Sequence, residues 1–243
     1  MAEAEPVLSV RGVSAGYGET TVIRDVDVTI ERGETLVFVG PNGHGKTTLL
    51  RTISGLIGAS TGTIELDGVR VNGVRAEDRA ARGLLHIPQG DHLFPGFTVE
   101  ENLLMGAFPR TAWRGRGEAL DRVLGLFPTL RDRRSQLAHT LSGGERRQVA
   151  IGRGLMRDPT LLLIDEPSLG LGPMIVETVY EAIGQIAAQD VAILLVEENF
   201  THIEELADRV CVLEMGRVVR TGLPAELAAD DTIAQSYLGV LEP

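Results

Sequence analysis

The stretch Gly40-Pro41-Asn42-Gly43-His44-Gly45-Lys46-Thr47, followed by Thr48, decides the reading of this chain. It satisfies G-x-x-x-x-G-K-[ST] in full. Of the 23 basic residues, Lys46 is the one lysine and the other 22 are arginines. A phosphate cradle needs a compact ammonium on a flexible stem, which a planar guanidinium supplies poorly. The exception to the arginine bias falls where that chemistry requires it. The apolar run from Thr35 to Val39 predicts a buried strand entering the loop, and Thr47 to Ile53 predicts the helix leaving it. Gly40, Gly43 and Gly45 let backbone N–H groups converge on phosphate oxygens, and the helix N-terminus adds its positive dipole end. Lys46 is then set to reach the β- and γ-phosphates, and the Thr47 hydroxyl to hold Mg2+. The implied ligand is a nucleoside triphosphate.

At 243 residues the chain can bury a substantial core, as one large domain or one domain with a subdomain. A net charge of −11 argues against non-specific binding to nucleic acid, so no nucleic-acid partner is expected. The one cysteine, Cys211, lies in Val210-Cys211-Val212-Leu213 and reads as a buried small hydrophobe. No apolar run reaches the ~18 residues of a membrane helix. The acidic start, Met-Ala-Glu-Ala-Glu-Pro, does not read as a signal peptide. The expectation is a cytosolic chain whose membrane association runs through a partner.

Alternating segments at residues 7–10, 21–23 and 26–30 predict antiparallel strands near the N-terminus. Thr63 to Val69 predicts a hairpin turning at Asp67-Gly68. Apolar runs at 161–164, 192–196 and 210–213 predict further strands, with helices near 174–189 and 200–207 between them. That βα order implies a parallel sheet with helices on its faces. From about 93 to 157 the pattern is helical, an insertion in the nucleotide-binding core. Thr111 to Gly117 reads as an exposed loop.

Leu161 to Ile164 runs into Asp165-Glu166-Pro167, four apolar residues and then two carboxylates. Asp165 is placed to hold Mg2+ through water, and Glu166 to orient or deprotonate an attacking water. Leu141-Ser142-Gly143-Gly144-Glu145 opens an amphipathic helix. Ser142 and Glu145 fit a capping box. Two glycines just inside a helix are costly for capping alone and suit a close approach of backbone to an anion.

The order of these motifs resembles that of ATP-binding cassette (ABC) proteins over the whole chain. The resemblance implies an α/β fold: a P-loop NTPase (ABC ATPase) core with mixed sheet, an N-terminal antiparallel β subdomain and a helical insertion. It implies a single domain, 1–243, with a core of 1–92 and 158–243 and a helical signature subdomain at 93–157. It implies ATP and Mg2+ as ligands, bound by Tyr17 against adenine, by Gly40, Pro41, Asn42, Gly43, His44, Gly45, Lys46, Thr47 and Thr48, and, on a partner's ATP, by Ser142, Gly143 and Gly144. Thr47, Asp165 and Gln89 would hold the metal; Gln89 would also sense a transmembrane partner, whose coupling helix it would receive together with Pro95-Gly96-Phe97 and neighbouring residues of the helical insertion. Glu166, Lys46, Gln89 and Glu198 would serve catalysis. The implied partners are transmembrane permease subunits, a second ATPase subunit in a homodimer or heterodimer, and indirectly a solute-binding protein. The implied location is the cytoplasmic face of the inner membrane, peripheral through the permease.

Leu93 to Leu103, Asp165 to Pro173 and the ending Tyr237-Leu238-Gly239 resemble LivF-type ATPases of branched-chain amino-acid importers. Urea and amide importers carry the same type. Three rivals stay open: a weakly hydrolysing partner of another ATPase, an exporter ATPase such as the lipopolysaccharide type, and a soluble ABC protein. The last usually carries coiled-coil insertions or two cassettes, which this chain lacks. The chain departs from the family at several positions. Glu198 stands where the family has His, or Gln in the LivF type; a carboxylate there repels a γ-phosphate unless a cation or proton compensates. Gly172 replaces a common Asp, and His44 replaces a small residue, its side chain expected to point away from the phosphates. His202 stands four residues beyond Glu198. His86, His92, His139 and His202 show no metal spacing. Arg131 to Arg134, and the helix carrying Glu177 and Glu181, read as solvated faces.

Overall fold

The computed structural model describes residues 5–108, 113–198, 200 and 203–229. They form two compact units, the first drawn from Met1–His86, Thr160–Glu166 and Ala187–Pro243, the second from Ile87–Pro159 and Pro167–Ile186. The tail motif Tyr237-Leu238-Gly239 and His202 lie outside the described residues.

The first unit holds two sheets. In chain order its elements are β1 (Leu8–Tyr17), β2 (Thr20–Ile30), β3 (Thr35–Val39), α1 (Lys46–Ile53), β4 (Ala59–Leu66), β5 (Val69–Arg70), α2 (Ala76–Ala80) and β6 (Leu84–Ile87), whose last residue falls in the second unit. After the helical segment come β7 (Leu161–Asp165), β8 (Ala192–Glu197), β9 (Arg209–Glu214), β10 (Arg217–Gly222) and α8 (Pro224–Ala228). One sheet runs β2-β1-β4-β5, each neighbouring pair antiparallel. The other runs β10-β9-β3-β8-β7-β6, with β9, β3, β8 and β7 parallel and β10 antiparallel to β9. This is the α/β P-loop NTPase fold with a mixed sheet. The central strands β3, β7 and β8 are buried at every residue, as an apolar run covered on both faces must be. One core joins side chains of both sheets and α1, with Leu8, Ile23, Ile30, Leu36, Phe38, Leu49 and Ile64 almost wholly buried.

The second unit is helical among its described residues: α3 (Val99–Gly106), α4 (Arg116–Leu126), α5 (Pro128–Asp132), α6 (Gly143–Leu155) and α7 (Pro173–Ala187), which ends one residue beyond it. Val99, Leu103, Val123, Phe127, Leu130, Val149, Ile151 and Val179 are buried.

Several sequence expectations need correction. The three short N-terminal strands are two long ones. Register shifts fall between Val10 and Val13 and again near Ala15, so the polar–apolar phase resets while pairing continues. The helix expected at 200–207 is a turn at Ile203–Leu206 in its described part. Its chain is drawn toward the sheet instead, with Asp208 N donating to Thr35 O at 2.9 Å and Thr35 N to Asp208 Oδ2 at 2.8 Å. Strands β6 and β10 add to those expected; they are the two edges of the six-stranded sheet, β6 only four residues long and β10 largely exposed. The Asp67-Gly68 hairpin forms as expected, both residues at positive φ (45° and 71°).

Candidate functional site

The phosphate loop joins β3 to α1. A Cβ on Gly40 would lie 2.3 Å from the Leu213 carbonyl oxygen, so β9 backbone passes where any side chain would stand. Gly45 caps α1 at φ 105° with no side-chain cap, a conformation that glycine alone adopts cheaply. The first turn of α1 carries no acidic residue, so its N–H groups and dipole are left for an external anion.

Lys46 is 3% exposed. Its Nζ donates to Gly40 O at 2.6 Å and Pro41 O at 3.3 Å, approaches Asn42 Oδ1 at 3.5 Å, and pairs with Glu166 Oε1 at 3.2 Å. The loop's carbonyls thus fix the ammonium in the concavity. Thr47 Oγ1 donates to Asp165 Oδ1 at 3.1 Å. Asp165 ends β7 in parallel register with Val196 of β8. Glu166 then turns left-handed, φ 43°, with its N–H on Val196 O at 3.0 Å. That departure from the strand brings the second carboxylate to the lysine. A non-Gly residue held at positive φ is strain of the kind that collects at functional sites. Tyr17, at the end of β1, is 45% exposed and accepts from Arg51 Nη1 at 3.2 Å. It stands partly exposed beside α1.

A hydroxyl and a carboxylate at the mouth of an anion-binding loop fit a hard cation that takes oxygen ligands. Among the described residues no cluster of three or more His, Cys, Asp or Glu could hold a metal alone. The remaining oxygens would come from phosphates and water, which is how Mg2+ is ordinarily held.

Residues 23–169 match the family model for ABC transporters. The chain is 41% identical to a high-affinity branched-chain amino acid transport ATP-binding protein, BraG, of Pseudomonas aeruginosa, over 96% of this chain and 100% of that one. The chain belongs to the ABC transporter family. It is 34% identical to a probable branched-chain amino acid transport ATP-binding protein, LivF, of Archaeoglobus fulgidus, over 95% and 98% of the two chains. Among solved structures, an ATP-binding cassette of an ABC transporter in its ADP conformation superposes with a TM-score of 0.83 over 96% and 99% of the chains at 22% identity, a likeness of fold. The structure of cbiO1 of Clostridium perfringens, described as part of the ABC transporter complex cbiONQ, gives 0.82 at 25% identity over 95% and 94%. This chain is therefore an ATP-binding subunit of an ABC transporter, LivF-like in sequence, and an ATPase.

The segment Leu141 to Glu145, which resembles the ABC signature, lies in the second unit. Ser142 caps α6, its Oγ accepting from Glu145 N at 3.4 Å while Ser142 N donates to Glu145 Oε2 at 2.8 Å. Gly143 has room for a Cβ, but one on Gly144 would sit 2.0 Å from Ile175 Cγ2 of α7. Packing of α6 on α7 thus accounts for Gly144 by itself. Gln89 is exposed in the segment after β6, with His92 Nε2 3.0 Å from its carbonyl oxygen. Gly172 is exposed ahead of α7, and Glu177 and Glu181 face solvent on it. Arg131 to Arg134 are exposed; Arg133 and Arg134 pair with Glu145 and Glu100.

Sequence reasoning missed three features of this ABC ATPase. Buried Arg147 on α6 donates to both Pro88 O (3.0 Å) and Gly90 O (2.8 Å), gripping the backbone on either side of Gln89. Glu197, at the end of β8 in register with Val39, is buried, whereas Glu198 is exposed. His86 on β6 has its Nε2 buried without a partner, and burial, helped by the Arg51 charge, pushes its pKa down to about 4. Doubled carboxylates and an internal His in an apolar strand were the available signals for the last two. Arg147 looked like one more arginine on a helix.

Proposed function

We propose that this chain is the ATPase of an importer of branched-chain amino acids, driving separate transmembrane permease subunits from the cytoplasmic face of the inner membrane. The observation that carries this reading is full-length similarity to BraG at 41% identity. Among the described residues no helix is long and apolar enough to cross a membrane, so the membrane attachment we propose runs through the permease. In this reading residues 1–243 are one domain, with 93–157 as the signature subdomain that receives the permease near Pro95-Gly96-Phe97.

The proposed chemistry follows the site. Lys46 and the loop amides bind the β- and γ-phosphates, and Tyr17 stacks on adenine. Thr47 and Asp165 would hold Mg2+, which would supply charge neutralisation at the phosphate oxygens. Glu166 orients the water and takes its proton. Two ATPase subunits pair head to tail, so that Ser142, Gly143 and Gly144 of each contact the γ-phosphate bound by the other. A solute-binding protein acts indirectly, through the permease.

The test is purification with the membrane partners and reconstitution in vesicles with solute-binding protein. Branched-chain amino acids are expected to stimulate ATP hydrolysis and accumulate inside. Stimulation by urea or amides alone would reassign the substrate, and outward movement of a lipid would place the chain with exporters. The relative named as a lipopolysaccharide export ATP-binding protein, LptB, of Haemophilus influenzae is 30% identical over 96% of this chain and 97% of that one.

A further inference from the structure

The imidazole of His44 is directed to the β9–β10 turn. Its Nδ1 accepts from Met215 N at 3.3 Å, and its own carbonyl accepts from Gly216 N at 3.0 Å. One loop residue therefore binds two successive amides of a single turn. That turn is itself set firmly. Met215 and Gly216 are both left-handed, at φ 46° and 79°. Arg24 of β2 holds it from the other side, its N–H on Gly216 O at 2.8 Å and its Nη1 on Met215 O at 3.3 Å. A Cβ on Gly216 would lie 1.9 Å from Val22 O, so the turn rests on β2 backbone. β2 pairs with β1, where Thr20 stands opposite Tyr17.

We propose that His44 is a positioning residue for nucleotide binding, fastening the phosphate loop to the β9–β10 turn through its Nδ1 acceptor. The proposal rests on reading the loop as the nucleotide site. Gly43 and Gly45 on either side are both left-handed, at φ 82° and 105°, and glycine loses more conformational freedom on ordering than any other residue. A loop whose amides must converge on phosphate oxygens binds more tightly when that ordering is done before the ligand arrives. Alanine at 44 would keep the backbone bond to Gly216 and lose the side-chain bond to Met215. The acceptor role needs a neutral ring with its proton on Nε2, because the Met215 N–H is the donor. Asn places its Oδ1 where the imidazole places Nδ1, so it preserves the acceptor and discards the rest of the ring.

The experiment compares wild type, His44→Ala and His44→Asn by KM and kcat for MgATP and by Kd for a non-hydrolysable ATP analogue, with thermal unfolding as a check on folding. For His44→Ala both KM and Kd are expected to rise about three- to tenfold, the range that one net hydrogen bond carries, with kcat changing less than KM. His44→Asn is expected to recover most of the affinity. If Ala and Asn lose affinity equally, the ring contacts phosphate itself and the tether is wrong. If neither changes Kd, the bond to Met215 does not position the loop. Lys46→Ala separates the premise from the inference: unaltered nucleotide binding in that variant overturns the site, whereas lost binding with silent His44 variants overturns only the tether.

Discussion

Lys46 and Glu166 are a buried pair 3.2 Å apart, and each is the other's counter-charge. Removing one member of such a pair costs about 3 kcal/mol, because the remaining charge stays desolvated. Lys46→Ala should therefore lose ATP binding and also lower the unfolding midpoint. Adding Glu166→Gln should restore most of the midpoint and none of the binding. A double-mutant cycle by denaturant unfolding reads both, and additive losses would mean the pair is not coupled. His86 makes a prediction about pH. The unfolded imidazole takes a proton near 6.5, the buried one only near about 4, so the unfolded state binds more protons between those values. Stability must fall as pH falls through that window, by roughly 3 kcal/mol at most. His86→Leu should flatten this slope, and an unchanged slope would show that His86 is not its source. Glu198 is exposed, one residue beyond the β8 position that pairs with Val39. If it faces the γ-phosphoryl group as proposed, solvent screening leaves the repulsion far below a buried value, so Glu198→Gln should raise turnover by at most about tenfold. A lower rate at saturating MgATP would show that the carboxylate assists hydrolysis.

At the scale of elements, α6 does two things that its sequence shows unequally. Its N-terminus carries Ser142 and the paired glycines, and its Arg147 holds the carbonyls of Pro88 and Gly90. Arg147→Met keeps most of the apolar stem and discards both bonds. Bonds from a charged donor contribute about 1.5–3 kcal/mol each, so amides from Gln89 to Asp91 should exchange hydrogen at least about tenfold faster. Unchanged exchange there would mean that other contacts hold the segment. The phosphate loop and the pair Asp165-Glu166 could be read from sequence because their chemistry is local: a strand end, a few glycines and one lysine in fixed spacing. The central strands could be read because burial on both faces leaves an uninterrupted apolar run. Edge strand β10 carries mixed residues, and edge strand β6 is only four residues long with His86 inside it, so neither gave such a signal. The grip of Arg147 and the tether of His44 were hidden for another reason. Both join residues more than fifty positions apart through carbonyls and amides, which every residue type shares.

At the scale of the whole molecule, the loop, the two carboxylates and the tyrosine belong to one unit, and the signature helix belongs to the other. In the proposed assembly each site is completed by a second chain, so dimerisation and hydrolysis are coupled. Glu166 is where the coupling can be broken selectively. Glu166→Gln removes the proposed base, which carries about 100- to 10,000-fold in rate, and also one negative charge at the γ-phosphate position. ATP binding survives because the Lys46 ammonium and the loop amides remain. The closed state then forms and cannot discharge, so it accumulates. Size-exclusion chromatography with light scattering at saturating MgATP should show a dimer for Glu166→Gln and mainly monomer with ADP. A chain that binds ATP and stays monomeric in that variant would rule out a homodimer. The same measurement with an added second ATPase subunit then decides between a heterodimer and no head-to-tail pairing at all.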